Sequence, residues 1–221
     1  SLPATIRSVN RLFLVRHGIT EANHLGVYQG QMDVPLSAKG KLQIAALRER
    51  LRDEPFAVCY TSMLERARVS AEILLEEHFC PLHATPDLNE LSYGEWEGLT
   101  RAQVRARDPE GWRRFSEDPV RQTPPGGETR IELHTRVTRV LDAIADQHQD
   151  ASILIASHGG ALRAIIAEYL NLDLNEEWKL RSDNASLTII DVYASGGVLS
   201  LFNDTAHLGP RKPPLGGEPV H

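Results

Sequence analysis

Arg16-His17-Gly18 closes the apolar run Leu12-Phe13-Leu14-Val15, and Ser157-His158-Gly159-Gly160 closes a second run, Ile153-Leu154-Ile155-Ala156. A short apolar run that stops at polar groups and glycine reads as a buried strand. In an open parallel sheet, ligands bind at the carboxyl ends of the strands. A guanidinium there is a planar fork that matches phosphate bidentately. An imidazole beside it can attack, accept a proton or donate a hydrogen bond. Attack on phosphorus needs the neutral ring, and nearby guanidiniums disfavour a second positive charge. A cationic pocket of this kind gathers an anion and also keeps the nucleophile unprotonated. Gly18 is expected to let the backbone come close to a ligand. Taken singly, each histidine also fits a strand-end residue with a structural hydrogen bond.

Other residues can complete such a site. Tyr60-Thr61-Ser62 ends another apolar strand, and Ser62 is read as the cap of the helix that follows. Arg66 then falls in the first or second turn, where the helix dipole favours anions over cations, so it is expected to have an anion to meet. At the second histidine, the backbone N–H groups at Gly159 and Gly160 open a helix and suit an anion. A leaving group also needs a proton, and a carboxylate beside a bound phosphate dianion favours its protonated form. Asp87, Glu90, Glu95 and Glu97 are all candidates, and spacing does not choose among them.

The elements that must carry these groups alternate between strand and helix. The expected class is α/β: a three-layer α/β/α arrangement with a mainly parallel sheet, helices on both faces and a small cap insertion. Strands are expected at 11–15, 56–60, 82–85, 152–156, 186–192 and 198–202, the last two forming a hairpin around Ala194-Ser195-Gly196-Gly197. Helices are expected from Ser37 to about Leu51, from about Ser62 to Glu77, over about 129–148, and from Gly160 to about Leu170. The third should bury Ile131, Val137, Leu141 and Ile144. Thr100 to Gln103 is a capping box that opens a shorter helix. One domain is expected over 1–208, with 92–128 as the cap, 118–127 as an irregular loop and 209–221 as a flexible tail.

Composition narrows the classes. A 221-residue chain with 41% apolar residues fits a globular protein with a sizeable core. No apolar run reaches membrane-span length, and the first residues lack an apolar leader, so no membrane partner and a cytoplasmic location are expected. A net charge of −6 argues against a nucleic-acid partner. Cys59 and Cys80 make neither a disulfide framework nor a zinc site. There is no His-x-x-x-His, and His17 and His24 form no compact metal cluster. There is also no Gly-x-x-x-x-Gly-Lys-Ser/Thr loop for nucleotide phosphates. No metal and no cofactor are expected.

Taken together, the segments resemble the histidine phosphatase superfamily, the phosphoglycerate mutase-like proteins. The resemblance rests on Arg16-His17-Gly18-Ile19-Thr20-Glu21-Ala22-Asn23, Tyr28-Gln29-Gly30, Thr61-Ser62-Met63-Leu64-Glu65-Arg66-Ala67 and Asn89-Glu90. It continues through Tyr93-Gly94-Glu95-Trp96-Glu97-Gly98, Gly126-Gly127-Glu128-Thr129, Ser157-His158-Gly159-Gly160 and Asp183-Asn184-Ala185-Ser186. It implies that His17 becomes phosphohistidine, that Arg16, Arg66 and His158 complete the phosphate pocket, and that Asn23 is a further phosphate contact. It implies that Glu90 is the proton donor, that Gln29 and Gly30 lie near the substrate, and that no metal takes part. The chain departs from the family pattern at Val69-Ser70, where a threonine is common. The short interval between Glu90 and His158 resembles the phosphatase branch, with α-ribazole phosphatases and broad-specificity phosphatases, more than a cofactor-dependent phosphoglycerate mutase. The expected partner is a small phosphorylated metabolite, and the sequence is silent on oligomeric state. A non-catalytic phospho-ligand scaffold is the alternative of another class. The arginines at 101, 105, 107, 113, 114 and 121 are expected to form a solvated cap face, one or two of them within reach of an acidic substrate group. Trp96, Trp112, Phe115 and Trp178 are expected to pack.

Overall fold

In a computed structural model, which describes residues 9–210, alternation along the strands sorts the core into two faces. In β1 (Asn10–Arg16), Leu12 and Leu14 face one cluster while Phe13 and Val15 face another. In β4 (Ser152–Ser157), Ile153 and Ile155 join the first cluster, Leu154 and Ala156 the second. A period of two does this wherever a strand is buried on both sides. Each fully buried aliphatic side chain contributes about 1.5–3 kcal/mol.

Among the described residues, β1, β4, β2 (Phe56–Ser62), β3 (Leu82–Thr85), β5 (Leu187–Tyr193) and β6 (Gly196–Asp204) form one sheet in the order β3-β2-β4-β1-β5-β6. β2 lies parallel to β4 and to β3, and β1 lies parallel to β4. β5 and β6 complete the sheet as an antiparallel pair, as the Gly-rich turn predicts. Together α6 (Arg130–Gln147) and α7 (Gly159–Leu170) cover the first face, and α2 (Ala38–Leu51) and α3 (Glu65–Leu74) the second. A mostly parallel sheet with helices on both faces is the expected class. Parallel register sets Arg16 opposite Ser157, so β1 and β4 end side by side.

Local signals fix several helix starts. Ser37 accepts the Gly40 N–H at 3.0 Å. Thr100 and Gln103 form the expected box and open α4 (Arg101–Arg107), which stops at Asp108 and continues as α5 (Pro109–Glu117). Thr20 with Asn23 and Thr129 with Glu132 form two further boxes, which open α1 (Glu21–Leu25) and α6. Trp96, Val104 and Phe115 make a separate small core in the excursion between Leu91 and Glu128. Trp112 packs against that core, but Trp178 stands 38% exposed.

Two expectations need correction. Ser62 is the last residue of β2 and does not cap α3. Its hydroxyl accepts the Leu64 N–H at 3.1 Å, which closes a turn and delays the helix to Glu65; the helix then stops at Leu74, short of Glu77. Ile131 is 44% exposed, and Leu133 takes its place in the core. The proposed tail lies, from residue 211 onward, outside the described residues.

Candidate active site

β1 delivers Arg16 and His17 to the carboxyl edge. The His17 N–H donates to Ser157 O at 3.0 Å, which ties the end of β1 to that of β4. His17 is 2% exposed, and its Nδ1 lies 2.7 Å from Gly18 O. A carbonyl only accepts, so Nδ1 carries the proton and Nε2 keeps its lone pair. Burial, then the charges of Arg16 and Arg66, hold the ring well below its ordinary pKa. The ring is therefore neutral, in the tautomer that leaves Nε2 able to attack.

Gly18 serves a different purpose from the one expected. A Cβ there would lie 2.4 Å from Gly40 O, so the missing side chain admits helix α2 and not a ligand. The loop is held from three sides. The Gly18 N–H donates to Ser70 Oγ at 3.3 Å, and Ser70 donates to Arg66 O at 2.7 Å. Asn184 Nδ2 donates to His17 O at 3.2 Å. The N–H of Ala185, buried with φ +55, reaches Arg16 O and His17 O, both at 3.1 Å. Backbone strain of this kind persists only where the surroundings enforce it.

His158 caps α7 with its backbone and is fully buried. Its Nε2 lies 2.8 Å from Ser62 Oγ. Ser62 has one proton and gives it to Asn89 Oδ1 at 2.9 Å, an oxygen that also accepts the Met63 N–H at 3.0 Å. Nε2 of His158 must therefore donate to Ser62. Its Nδ1 is buried without a partner. The two imidazoles stand 5.1 Å apart, centroid to centroid. Burial, followed by Arg66, His17 and Arg16, pushes His158 well below the usual histidine value.

Arg66 opens α3 and is 1% exposed. Two of its five N–H groups go to the loop carbonyls of Met32 and Gly30, each at 2.7 Å, so it orders that loop as well as facing the site. Gly30 has φ +50, and a Cβ there would collide with Glu97 Oε1. Burial lowers the pKa of both Arg66 and Arg16, and nearby Glu90 offsets part of the effect. Arg16 Nη1 is anchored on Ser182 O.

Geometry separates the four acidic candidates. Both carboxylate oxygens of Glu90 accept the Gly160 N–H at 3.1 Å, and Oε1 also accepts the Leu91 N–H at 2.8 Å. An anion at the start of a helix suits the dipole, so this N–H meets Glu90 and not a ligand. Asp87 instead pairs with Arg139 at 2.9 Å, Glu97 Oε1 accepts the Gln31 and Tyr93 N–H groups, and Glu95 is exposed. Gly159 lies against Arg16: a Cβ there would meet the guanidinium carbon at 3.7 Å, an ordinary contact. Asn23 Oδ1 is taken by Thr20 and by Asn184 Nδ2 at 3.2 Å, which leaves its amino end for a ligand oxygen. Gln29 Oε1 accepts from Thr20 Oγ1 at 2.9 Å, beside Asn23.

Sequence reasoning missed the supports. Arg136 donates to Asp87 O at 2.8 Å, Asn89 O at 2.7 Å and Glu90 O at 2.9 Å, and it is held bidentately by Glu128 at 2.6 and 2.8 Å. That clamp fixes the backbone carrying Glu90. Of the cap arginines, Arg113 pairs with Glu110 and Glu117, and Arg101 lies over Trp112 at 5.0 Å.

A mostly parallel α/β sheet presenting two buried imidazoles, two guanidiniums and a carboxylate at its strand ends defines an enzyme of phosphoryl transfer. The chain belongs to the histidine phosphatase superfamily (branch 1), which matches residues 12–205. It is 32% identical over 199 residues to phosphoserine phosphatase 1 of Hydrogenobacter thermophilus, covering 90% of this chain and 94% of that one. It is 34% identical over 196 residues to the adenosylcobalamin/alpha-ribazole phosphatase of Salmonella typhimurium, covering 89% and 97%. The crystal structure of the alpha-ribazole phosphatase from Shigella flexneri superposes with a TM-score of 0.83 at 33% identity, covering 89% of this chain and 97% of that one. The chain is a phosphatase, a phosphoric monoester hydrolase.

Proposed function

We propose that this phosphatase hydrolyses a small phosphorylated metabolite without a metal, through a phosphohistidine at His17. The observation that carries the reading is the pinned tautomer of His17: Nδ1 sits on Gly18 O and Nε2 keeps its lone pair, in a pocket whose positive charge comes from Arg16 and Arg66. Arg16 and Arg66 take the phosphoryl oxygens, with the amino end of Asn23 as a further donor; His158 joins them through Nδ1, which takes up a proton when the incoming dianion offsets the positive charge of the pocket. Gln29 and the Gly30 loop border the substrate, and Gly159 sets the start of α7 against Arg16. In the first step Nε2 forms the N–P bond, the ester P–O bond breaks, and Glu90 gives its proton to the leaving oxygen. In the second step water attacks phosphorus, Glu90 takes a proton from that water, the N–P bond breaks and phosphate leaves. The charge that a metal supplies in other phosphoryl-transfer sites comes here from fixed cations, which repel a metal ion.

The test is H17A assayed with p-nitrophenyl phosphate in the presence of a chelator. Wild-type turnover is expected to survive the chelator, and H17A is expected to lose activity by about a thousandfold or more. Full activity in H17A, or strict dependence on added metal, would remove the reading.

A further inference from the structure

The cations around Glu90 are matched with counter-charges one by one, except at Arg163. Arg136 is held by Glu128, and Arg130, itself buried, pairs with buried Glu177 at 3.3 Å. In the proposed reaction Arg16 and Arg66 face the phosphate dianion. Arg163 has its Nε fixed on Leu180 O at 2.7 Å. Among the described residues its two terminal nitrogens have no hydrogen-bond partner and no carboxylate within ion-pairing distance. The residue is half-buried, so the open end of the fork is neither sealed in the core nor fully hydrated.

Its place in the fold is next to the site. Arg163 follows Gly160 by three residues and Gly159 by four, so all three share one face of α7. Gly160 on that face holds Glu90, and Gly159 borders Arg16. Arg16 and Arg163 are tethered to one extended segment, at Ser182 O and Leu180 O. Arg130, Tyr93, Glu90 and Glu177 all bear electrostatically on Arg163, and Arg163 bears on Arg16 and Tyr93. Glu90 does not balance it when the phosphomonoester binds, because the carboxyl then carries the proton for the leaving oxygen and is neutral. A half-buried guanidinium with no carboxylate in contact is costly, and a carboxylate meets its open end bidentately.

We propose that Arg163 binds a carboxylate on the leaving-group side of the substrate, so that the site prefers carboxylate-bearing phosphomonoesters to neutral ones. This rests on the phosphohistidine reading, since Glu90 marks the leaving-group side. The test compares 3-phosphoglycerate with glycerol 3-phosphate, which share a three-carbon skeleton and differ in a carboxylate against a hydroxymethyl group. The full chain is expected to favour 3-phosphoglycerate by about tenfold or more in kcat/KM. In R163M that preference is expected to fall by about tenfold, carried by KM for 3-phosphoglycerate, and R163K is expected to recover part of it. A wild-type preference within twofold, or an equal loss on both compounds in R163M, overturns the assignment of Arg163. With p-nitrophenyl phosphate turnover intact, those results leave the phosphatase mechanism standing. Failure of the His17 variant to lose that turnover would remove the mechanism itself.

Discussion

Glu90 and Gly160 show how closely a single side chain is placed. A Cβ at Gly160 would lie 2.3 Å from Glu90 Oε1, so G160A must push the carboxylate off the N-terminus of α7. Turnover of alkyl phosphates is expected to drop by about a hundredfold in G160A, with a Tm change of a few degrees only. E90Q separates the role of the acid more sharply. It is expected to lose about a hundred- to ten-thousandfold on glycerol 3-phosphate and far less on p-nitrophenyl phosphate, whose leaving group needs no proton. Comparison of kcat on the two substrates checks this; an equal loss on both counts against Glu90 as the acid. Much of this was legible in the sequence: Arg16, His17, Arg66, Glu90 and His158 carry the resemblance, and the structure gathers them at one edge. Arg136 was not legible. It sits on a helix face like any solvated arginine, and its partners, the carbonyls of 87–90, are distant in sequence. Gly18 was misread because a glycine does not reveal whether ligand or helix approaches it.

At the level of elements, the site is three strand ends held in register by side chains of neighbouring segments. Ser70 on α3, Ser62 on β2 and Arg136 on α6 each bond across to a neighbouring segment. R136M removes the clamp on residues 87–90 and leaves Glu128 without its partner in a mostly buried position. It is expected to cost at least about 2 kcal/mol of stability. It is also expected to lower kcat by more than KM rises, because the clamp positions the proposed acid, Glu90, without touching substrate. Urea titration and steady-state kinetics on R136M and R136K check both. Strand alternation made the sheet legible, and apolar spacing made the long helices legible. Five-residue α1 is too short for periodicity to show, and its capping box at Thr20 was hidden inside a motif read for chemistry. The start of α3 was misplaced because Ser62 has the right type for a cap and spends its hydroxyl elsewhere.

For the whole molecule, two neutral histidines sealed in a cationic pocket tie stability to pH. His17 and His158 are both held well below their ordinary value by burial and neighbouring positive charge. Unfolded chains take up those protons near pH 6.5 and the folded protein does not. Stability is thus fully present above about pH 6.5 and is lost as pH falls below it, down to the folded-state values. The expected slope is about 1.4 kcal/mol per pH unit for each histidine. H158Q is expected to remove about half of this acid sensitivity, and urea titrations between pH 5 and 7 check it. Saturating inorganic phosphate is expected to lessen the slope, because an anion in the pocket offsets Arg16 and Arg66. The proposed covalent step at His17 underlies the catalytic outcomes. Single-turnover reaction with radiolabelled phosphomonoester, quenched in base and mapped by peptide, tests it most directly. The expected result is a base-stable, acid-labile label on the peptide containing His17, absent in H17A. A burst of product with no labelled peptide, or a label on any other residue, would contradict it.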